Sequence, residues 1–306
     1  MQPTRGGRSG PPKTPVPAAW QPILDDFTEW LAAAGRPKST IGTRLAHLRH
    51  LARELAVPPG EVTESALLKW FASQGHWSPE TRRGYRASCV VFFRWAVKTG
   101  VAHANPTDEL PTVKATVGAP RPAPDLVWKE AASKARPREA LMLQLACEAG
   151  LRRAEVAQVH VDDLLDGIGG AQLLVHGKGD RERVIPITDE LAGRIAAGPA
   201  GHTPELASLG TGWLFPGDDD GHLSPRWVGK LCAKELPGVW TMHALRHRFA
   251  TKAYRGTRNL RAVQKLLGHS SVATTERYTA VDDDELREAM LAAVAPSTPR
   301  RWSNTA

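Results

Sequence analysis

One segment, residues 111–124 (PTVKATVGAPRPAP), constrains the fold most, because proline, glycine and small residues interrupt every regular pattern of apolar side chains there. Such a composition is typical of a linker between domains. Since 306 residues are enough for two ordinary domains, we expect a first domain over 18–110 and a second over 125–296. Residues 1–17 are predicted to form a disordered basic tail, and residues 297–306 a flexible tail.

The first predicted domain contains four helical patterns. Apolar residues recur at helical spacing over 19–35, 39–56 and 63–74. A fourth helix is expected over 78–100, with Ser78 as its N-cap and a proline at its first position. These patterns predict a helical bundle that binds DNA through arginines outside the apolar stripes, although a solvated helix face is the ordinary alternative. The predicted DNA-binding residues are Arg44, Arg82, Arg83 and Arg86.

The charge of the chain indicates an acidic partner. The net charge is +8, and the lysines and arginines are spread along the chain rather than confined to a tail. Cys89, Cys147 and Cys232 lie far apart without a C-x-x-C pair, which argues against a zinc site and a disulfide framework and fits a reducing cytoplasm. We find no signal-peptide pattern and no apolar run of about 18 residues, so no membrane contact is expected.

The second predicted domain mixes helices with a hairpin. Two helical patterns lie between 126 and 149. Two apolar runs, 171–176 and 183–188, flank the turn GKGD and predict a β-hairpin with Lys178 at its tip. Loops are expected over 199–221. The predicted fold class is therefore mainly α with a small β-sheet: an N-terminal helical bundle followed by a mixed α+β domain.

Several side chains suited to phosphate chemistry follow near the end of this domain. His243 and Arg246 are three apart in a helical pattern, so both are expected on one face. The next helical pattern stops at Gly268, a residue that readily takes the left-handed conformation of a helix C-terminus, and His269 comes directly after it. Tyr278 is one of only three tyrosines in the chain, and a deprotonated phenol is a competent nucleophile on phosphorus.

Two further pairs invite a functional interpretation. Arg152 and Glu155 are three apart at the start of a helical pattern, so the carboxylate can orient the guanidinium, although a surface ion pair is the common alternative. His243 and His247 have the spacing of a zinc pair. A zinc protease would need a glutamate where this chain has Ala244, so we expect no metal there.

Five short motifs, taken in chain order, resemble those of the tyrosine recombinase (phage integrase) family. Each is weak alone, but their common order is a strong signal. The resemblance covers about 125–290, whereas residues 19–110 resemble the family's core-binding domain only in length and helicity. Ala149 stands where the family commonly has threonine, which leaves the chemistry untouched. The motifs are AGLRRAE at 149–155, HGKGDRERVIPI at 176–187, HALRHRFAT at 243–251, LGHSS at 267–271 and TTERYT at 274–279.

The resemblance implies an ATP-independent, site-specific DNA recombinase. Within that family, the proline- and arginine-rich N-terminal tail favours a phage or mobile-element integrase. A Xer-type chromosome-dimer resolvase and a type IB topoisomerase-like enzyme are the alternatives. The implied partner is double-stranded DNA at paired attachment sites, bound by a homotetramer. Host or phage directionality factors are further possible partners. The implied chemistry needs no cofactor and no metal.

The resemblance also implies a role for each motif residue. Tyr278 would attack a DNA phosphate to give a 3′-phosphotyrosine, while Arg152 and Arg246 grip the non-bridging oxygens. Lys178 would protonate the leaving 5′-oxygen. His243 would accept the proton of the tyrosine, and His269 would donate a hydrogen bond to a phosphate oxygen. Glu155 would position neighbouring groups.

Overall fold

The computed structural model of the protein describes residues 15–115, 121–177 and 181–269, together with Met290 and Ala293. Two predicted site residues, Lys178 and Tyr278, lie outside the described residues, as do most of the two predicted tails. The chain divides into two compact units, Met1–Gly118 and Ala119–Ala306. The prediction of a mainly helical chain with a small sheet is confirmed.

Among its described residues, the first unit contains four α-helices, and side-chain caps explain where two of them start. The Thr63 hydroxyl accepts the Ala66 N–H at 3.2 Å, and the Ser78 hydroxyl accepts the Thr81 N–H at 3.1 Å, so each side chain satisfies a donor that the helix leaves open. A proline at the first position of the last helix fits that cap. The helices are α1 (Gln21–Ala33), α2 (Lys38–Leu55), α3 (Glu64–Ser73) and α4 (Pro79–Lys98).

Aromatic side chains form the core of the first unit. Trp20, Phe27 and Phe92 are fully buried. The rings of Trp20 and Phe92 stack with centroids 5.5 Å apart, and Phe27 meets Phe92 edge-on at 5.2 Å. Such contacts add to the free energy gained by burying large apolar surfaces. The α1 and α4 helices therefore pack against each other through one aromatic cluster.

Two arginines predicted to bind DNA are engaged within the first unit. Arg82 donates to the carbonyls of Phe71 and Gln74 at 2.6 and 2.8 Å, and so caps the C-terminal end of α3. Arg86 donates twice to the Leu110 carbonyl, at 3.2 and 2.9 Å. These guanidinium groups thus add a charged donor to carbonyls outside their own helix.

The other two arginines differ in their exposure. Arg44 donates to the Ala87 carbonyl at 2.9 Å and links α2 to α4. Arg83 is exposed and pairs with Glu80, three residues earlier on the same helix, at 2.8 Å. Binding of DNA by any of the four arginines stays a prediction.

The second unit is built around α6, a helix buried on nearly every side. Its buried residues include Leu141, Leu143 and Leu145, and α6 contacts most of the other helices of the unit. A helix that is buried on nearly every side lies at the centre of its domain. The helices within residues 121–269 of this unit are α5 (Asp125–Lys134), α6 (Pro137–Glu148), α7 (Arg153–Ala157), α8 (Asp189–Ala196), α9 (Pro225–Glu235), α10 (Met242–Thr257) and α11 (Leu260–Leu267).

A three-stranded antiparallel sheet in the order β1-β2-β3 covers one side of the second unit. Leu173, Val175 and Ile185 are buried on its inner face, at alternate positions as the pleat requires. Both predicted hairpin strands are confirmed, whereas β1 was not predicted. The strands are β1 (Leu164–Gly167), β2 (Gly170–Gly177) and β3 (Arg181–Pro186).

The prediction of loops over 199–221 is wrong for part of that segment. Two 3₁₀ turns, Pro199–Gly201 and Pro204–Leu209, precede a short strand, β4 (Pro216–Asp219). The strand folds back on the residues that follow it, with isolated bridges to His222. The sequence did not predict this strand, because its glycine and aspartates are residues typical of turns. Among the described residues, no helix is both long and apolar enough for a membrane crossing.

We predict that Arg82→Gln destabilises the first unit, because the carbonyls of Phe71 and Gln74 lose a charged donor. The expected loss is about 2 kcal/mol, the range for hydrogen bonds to charged groups. Urea unfolding of the full chain, followed by tryptophan fluorescence, measures it. Arg83→Gln is the matched control and should leave the transition in place. Equal midpoints for the two variants would contradict the capping role.

Candidate active site

A buried carboxylate, Glu155, lies among three arginines. It is 3% exposed. Its Oε1 accepts from Arg152 Nη1 at 2.8 Å and from Arg183 Nη1 at 2.9 Å. Its Oε2 accepts from Arg183 Nη2 at 2.9 Å and lies 3.6 Å from Arg246 Nη1. One side chain therefore orients three guanidinium groups from three separate segments of the chain.

Local sequence fixes this carboxylate. Arg152 is the N-cap of α7 and Glu155 is the third residue of that helix. Glu155 Oε2 accepts the Arg152 backbone N–H at 2.8 Å, which is the reach-back bond of a capping box. The predicted pairing of these two residues is observed. Of the two partners, Arg152 is 42% exposed at its side chain, whereas Glu155 is buried.

The arginines keep Glu155 ionised. Burial by itself raises the pKa of this carboxyl, but the hydrogen bonds and charge of Arg183, the Arg152 N–H and the charge of Arg246 outweigh it. The pKa of Glu155 is lowered to about 2. Among the described residues, this cluster contains one fixed negative charge and three fixed positive charges, an excess that suits an anion.

Arg246 is the most deeply buried of the three arginines. Its side chain is 1% exposed and donates to the carbonyls of Gly150 and of Leu267, the second at 2.6 Å. Its Nη2 lies 3.2 Å from His269 Nε2. A buried guanidinium requires such partners, because an unpaired charge inside a protein is strongly unfavourable. Gly150 has φ +65°, and a Cβ there would lie 2.5 Å from the Phe249 ring. A side chain at this position would therefore disturb the hydrogen bond between Arg246 and the Gly150 carbonyl.

The C-terminal end of α11 meets the same three arginines. Arg183 Nε donates to the Leu266 carbonyl at 2.9 Å. The Leu267 carbonyl accepts from Arg246 Nη2 at 2.6 Å and from Arg152 Nη1 at 3.3 Å. Cations stabilise the last turn of a helix, where carbonyls have no partner within the helix. The arginines therefore tie the end of α11 to Glu155.

His269 follows this helix end directly. Gly268 ends α11 with φ +62°, as predicted, and Gln264 holds the next residue by accepting the His269 N–H at 3.2 Å and donating to its carbonyl at 3.0 Å. Burial, followed by the charges of Arg246 and Arg152, lowers the pKa of His269 to about 4. Because a guanidinium only donates, His269 Nε2 accepts from Arg246, and the proton of the neutral ring lies on Nδ1.

A cleft of ≈ 660 Å³ opens beside this cluster. His243 borders it and is exposed, and its ring centroid lies 4.2 Å from that of His247. Arg246 borders the same cleft three residues later on α10, as the helical spacing predicted. Among the described residues that line the cleft, none is acidic. The basic residues that line it are Arg152, Arg153, Arg226, Lys230, His243 and Arg246.

The hairpin that carries Lys178 is held by ionisable side chains close to its turn. His176 Nε2 lies 2.8 Å from Asp163, and His176 Nδ1 lies 3.2 Å from Glu182 on the paired strand. The hydrogen bond to Asp163 and the neighbouring charges raise the pKa of His176 above its ordinary value. Lys178 itself lies outside the described residues.

The structure thus brings together Arg152, Glu155, Arg246 and His269, and it places His243 at the edge of the same cleft. In the part of the chain that is described, no group of three or more His, Cys, Asp or Glu residues is arranged to hold a metal ion. Tyr278 lies outside the described residues.

Sequence reasoning missed Arg183. This residue pairs with Val175 across β2 and β3, and Ile185, two residues later, is buried on the same inner face. The available signal was an arginine at an inward position of a strand, which needs a buried anionic partner.

Comparison with known proteins gives one family. The model of the phage integrase family matches residues 125–285. The tyrosine recombinase XerC of Vibrio parahaemolyticus is 30% identical over 308 residues, which cover 91% of this chain and 94% of the relative. XerC of Mycobacterium tuberculosis is 31% identical over 293 residues, or 87% and 96%.

Two solved structures share the fold at 20% sequence identity. The XerH site-specific recombinase bound to palindromic difH substrate matches with a TM-score of 0.67 over 90% of this chain and 84% of that one. A lambda integrase (75-356) dimer bound to a COC′ core site matches with a TM-score of 0.62 over 93% and 98%.

We predict that Glu155→Gln destabilises the protein by about 3 to 5 kcal/mol, because three guanidinium groups lose the anion between them. The pKa of Glu155 is lower in the folded protein than its ordinary 4.5, so its stabilisation is complete above pH 4.5 and is lost as the pH falls towards about 2. The difference in unfolding free energy between wild type and variant should therefore shrink over that window. Thermal unfolding at a series of pH values measures it.

The exposed Glu205 supplies the control for this prediction. Glu205→Gln should leave the stability near that of wild type at every pH. A gap between wild type and Glu155→Gln that stays constant from pH 5 to pH 2.5 would contradict the ionised state of Glu155.

Proposed function

Because the chain belongs to the phage integrase family of tyrosine recombinases, we propose that it cleaves and rejoins DNA through a 3′-phosphotyrosine on Tyr278. The protein is a tyrosine-type site-specific recombinase. The observation that supports this chemistry most directly is the cluster of Arg152, Arg246 and His269 around one buried carboxylate.

The arginines supply charge where the reaction needs it. When an oxygen nucleophile attacks a phosphodiester, negative charge builds up on the two non-bridging oxygens, and donors fixed in advance stabilise it. Arg152 uses only Nη1 of its side chain for Glu155 and Leu267, and no described residue accepts from its Nε or Nη2. These two donors lie in the plane of the guanidinium group and can reach two oxygens of one phosphate. Arg246 adds a second guanidinium beside the cleft.

His269 adds a neutral hydrogen-bond donor to the two arginines that bind the phosphate. Its low pKa leaves the ring uncharged at neutral pH. With the proton on Nδ1, the ring donates one hydrogen bond to a phosphate oxygen. A neutral ring next to three guanidinium groups also avoids a fourth positive charge in the site.

The proposed step balances without an energy-rich cofactor. The Tyr278 oxygen forms a bond to phosphorus, its proton passes to His243, and the bond from phosphorus to the 5′-oxygen breaks. Lys178 gives a proton to that leaving oxygen. One phosphodiester is exchanged for another, so the bond energy is kept for rejoining. Attack by the 5′-hydroxyl of a second strand reverses the step and releases the tyrosine.

We propose that the DNA is double-stranded and that the first unit helps to grip it. The net charge of +8 supports a polyanionic partner. XerH and lambda integrase, which share the fold, are described in complex with DNA substrates. Exchange between two sites needs four cleavages, so a homotetramer with one subunit on each half-site is the assembly we propose.

Two biological roles use this chemistry. The proline- and arginine-rich N-terminal tail favours integration of a phage or mobile element, a role that would call for directionality factors. The XerC relatives match nearly end to end, which supports chromosome-dimer resolution as the second candidate. The two differ in their sites: resolution joins two copies of one site and regenerates that site, whereas integration joins two different sites into hybrids.

We predict that Tyr278→Phe abolishes the covalent protein–DNA complex, slowing cleavage by about 10⁴-fold or more because the nucleophile is lost. DNA affinity should stay near that of wild type. Nicked suicide substrates, which release the departing strand, trap the complex for denaturing electrophoresis. Tyr254→Phe is the matched control and should cleave normally. A Tyr278→Phe protein that still forms the complex would overturn the assignment.

The DNA trapped by the protein in its host cells should distinguish the roles. Sequencing of the covalently bound fragments is expected to give two unlike sites, one beside the gene, for an integrase. A single chromosomal site, recombined to itself, would favour resolution. Plasmid relaxation in vitro without joining of two DNA partners would instead favour the topoisomerase-like alternative.

A further inference from the structure

We infer that Arg183 is a positioning residue of the recombinase site: it holds Glu155 and the end of α11 in one arrangement and thereby sets the groups that bind the phosphate. The inference rests on the proposed function. It assigns Arg183 no contact with DNA and no part in proton transfer.

One guanidinium group joins three elements of the second unit. Arg183 extends from β3 and donates from Nη1 and Nη2 to the two oxygens of Glu155 on α7, both at 2.9 Å. Its Nε donates to the Leu266 carbonyl at the end of α11, also at 2.9 Å. Because the three nitrogens lie in one plane, these bonds fix the helix end and the carboxylate relative to each other.

The burial of Arg183 separates it from the groups that face the cleft. Its side chain is 13% exposed, and each of its three nitrogens has a partner within the protein. Arg152 is 42% exposed at its side chain and lines the cleft. Arg183 does not line it. A phosphate in the cleft would therefore meet Arg152 and not Arg183.

The helix end is shaped to receive this side chain. A Cβ at Gly268 would lie 3.0 Å from Arg183 Cδ and 3.1 Å from its Nη1, closer than a side chain tolerates without displacement. The same glycine has φ +62°, which favours glycine on backbone grounds. Gly268 thus ends α11 and also leaves room for Arg183, one residue before His269.

The distances also indicate what Arg183 prevents. Arg246 Nη1 lies 3.6 Å from Glu155 Oε2, beyond hydrogen-bond distance, while Arg183 occupies that oxygen at 2.9 Å. If Arg183 were removed, both carboxylate oxygens would lose a donor. Arg246 is the nearest cation able to move in, and doing so would draw it from Leu267 and His269. Arg183 therefore keeps Arg246 directed to the site.

Single-turnover cleavage of a nicked suicide substrate tests this inference, with DNA affinity measured separately. The variants are Arg183→Gln and Arg183→Lys. Arg181→Gln, an exposed position on the same strand, is the control with the same charge change. We expect Arg183→Gln to cleave about 10- to 100-fold more slowly at saturating protein, the cost of a misplaced catalytic group. Its affinity for DNA should match that of Arg181→Gln.

The lysine variant separates positioning from charge. Arg183→Lys keeps the charge but cannot bond to Glu155 and Leu266 together through a planar fork, so we expect a rate about tenfold below wild type. It also serves if Arg183→Gln does not fold. A wild-type rate for Arg183→Gln would overturn the inference, as would a loss confined to DNA affinity.

A titration of the DNA-free protein keeps this test apart from the proposed function. Arg183 is one of the cations that lower the pKa of His269. The NMR signal of the His269 ring can be identified by its absence in His269→Asn. It should titrate at higher pH in Arg183→Gln, and its titration should be unchanged in Arg181→Gln. An unaltered titration would overturn the positioning role even if no DNA were cleaved. Failure of the wild type to form a covalent complex would count against the proposed function alone.

Discussion

A carboxylate buried in a protein must be compensated by cations, and the second unit is arranged around that requirement at Glu155. Burial alone would favour its neutral form. Hydrogen bonds from Arg183 and Arg152, with Arg246 close by, reverse that preference and lower its pKa to about 2. These partners come from a strand, a helix start and a long helix, and all three also bond to the carbonyls at the end of α11. The contacts that compensate the charge of Glu155 thus link four elements, α7, β3, α10 and α11.

This arrangement explains why the site suits a phosphate. Three guanidinium groups against one carboxylate leave an excess of positive charge beside the cleft, and the burial of Arg183 and Arg246 limits how far water screens their charge. The groups differ in their freedom. Arg183 is committed to the protein, Arg246 is buried at the edge of the cleft, and Arg152 keeps donors for a ligand. Fixed cations of this kind need little reorganisation when charge develops in a transition state.

The parts of the structure that local sequence determines were predictable. The helix that begins after Ser78, the helix end at Gly268 and the hairpin strands all follow from side chains that act on their own neighbours. Tertiary contacts were not predictable in this way. Arg82 resembles a surface arginine in the sequence, but its acceptors are carbonyls at the end of another helix. Arg183 reaches a carboxylate 28 residues and a carbonyl 83 residues away in the chain. Arg152 was predicted as a site residue only because the order of the motifs resembles that of the family. Nothing in its local sequence links it to Arg246 or His269.

In the proposed reaction, the phosphate held by this cluster becomes bonded to Tyr278. Mass spectrometry of the trapped complex, after digestion with trypsin and nuclease, tests this claim most directly. Cleavage after Arg277 gives a peptide that begins at Tyr278. The expected product is a nucleotide joined through its 3′-phosphate to that tyrosine, with a free 5′-hydroxyl on the released strand. A nucleotide on another residue, or one joined through a 5′-phosphate, would contradict it.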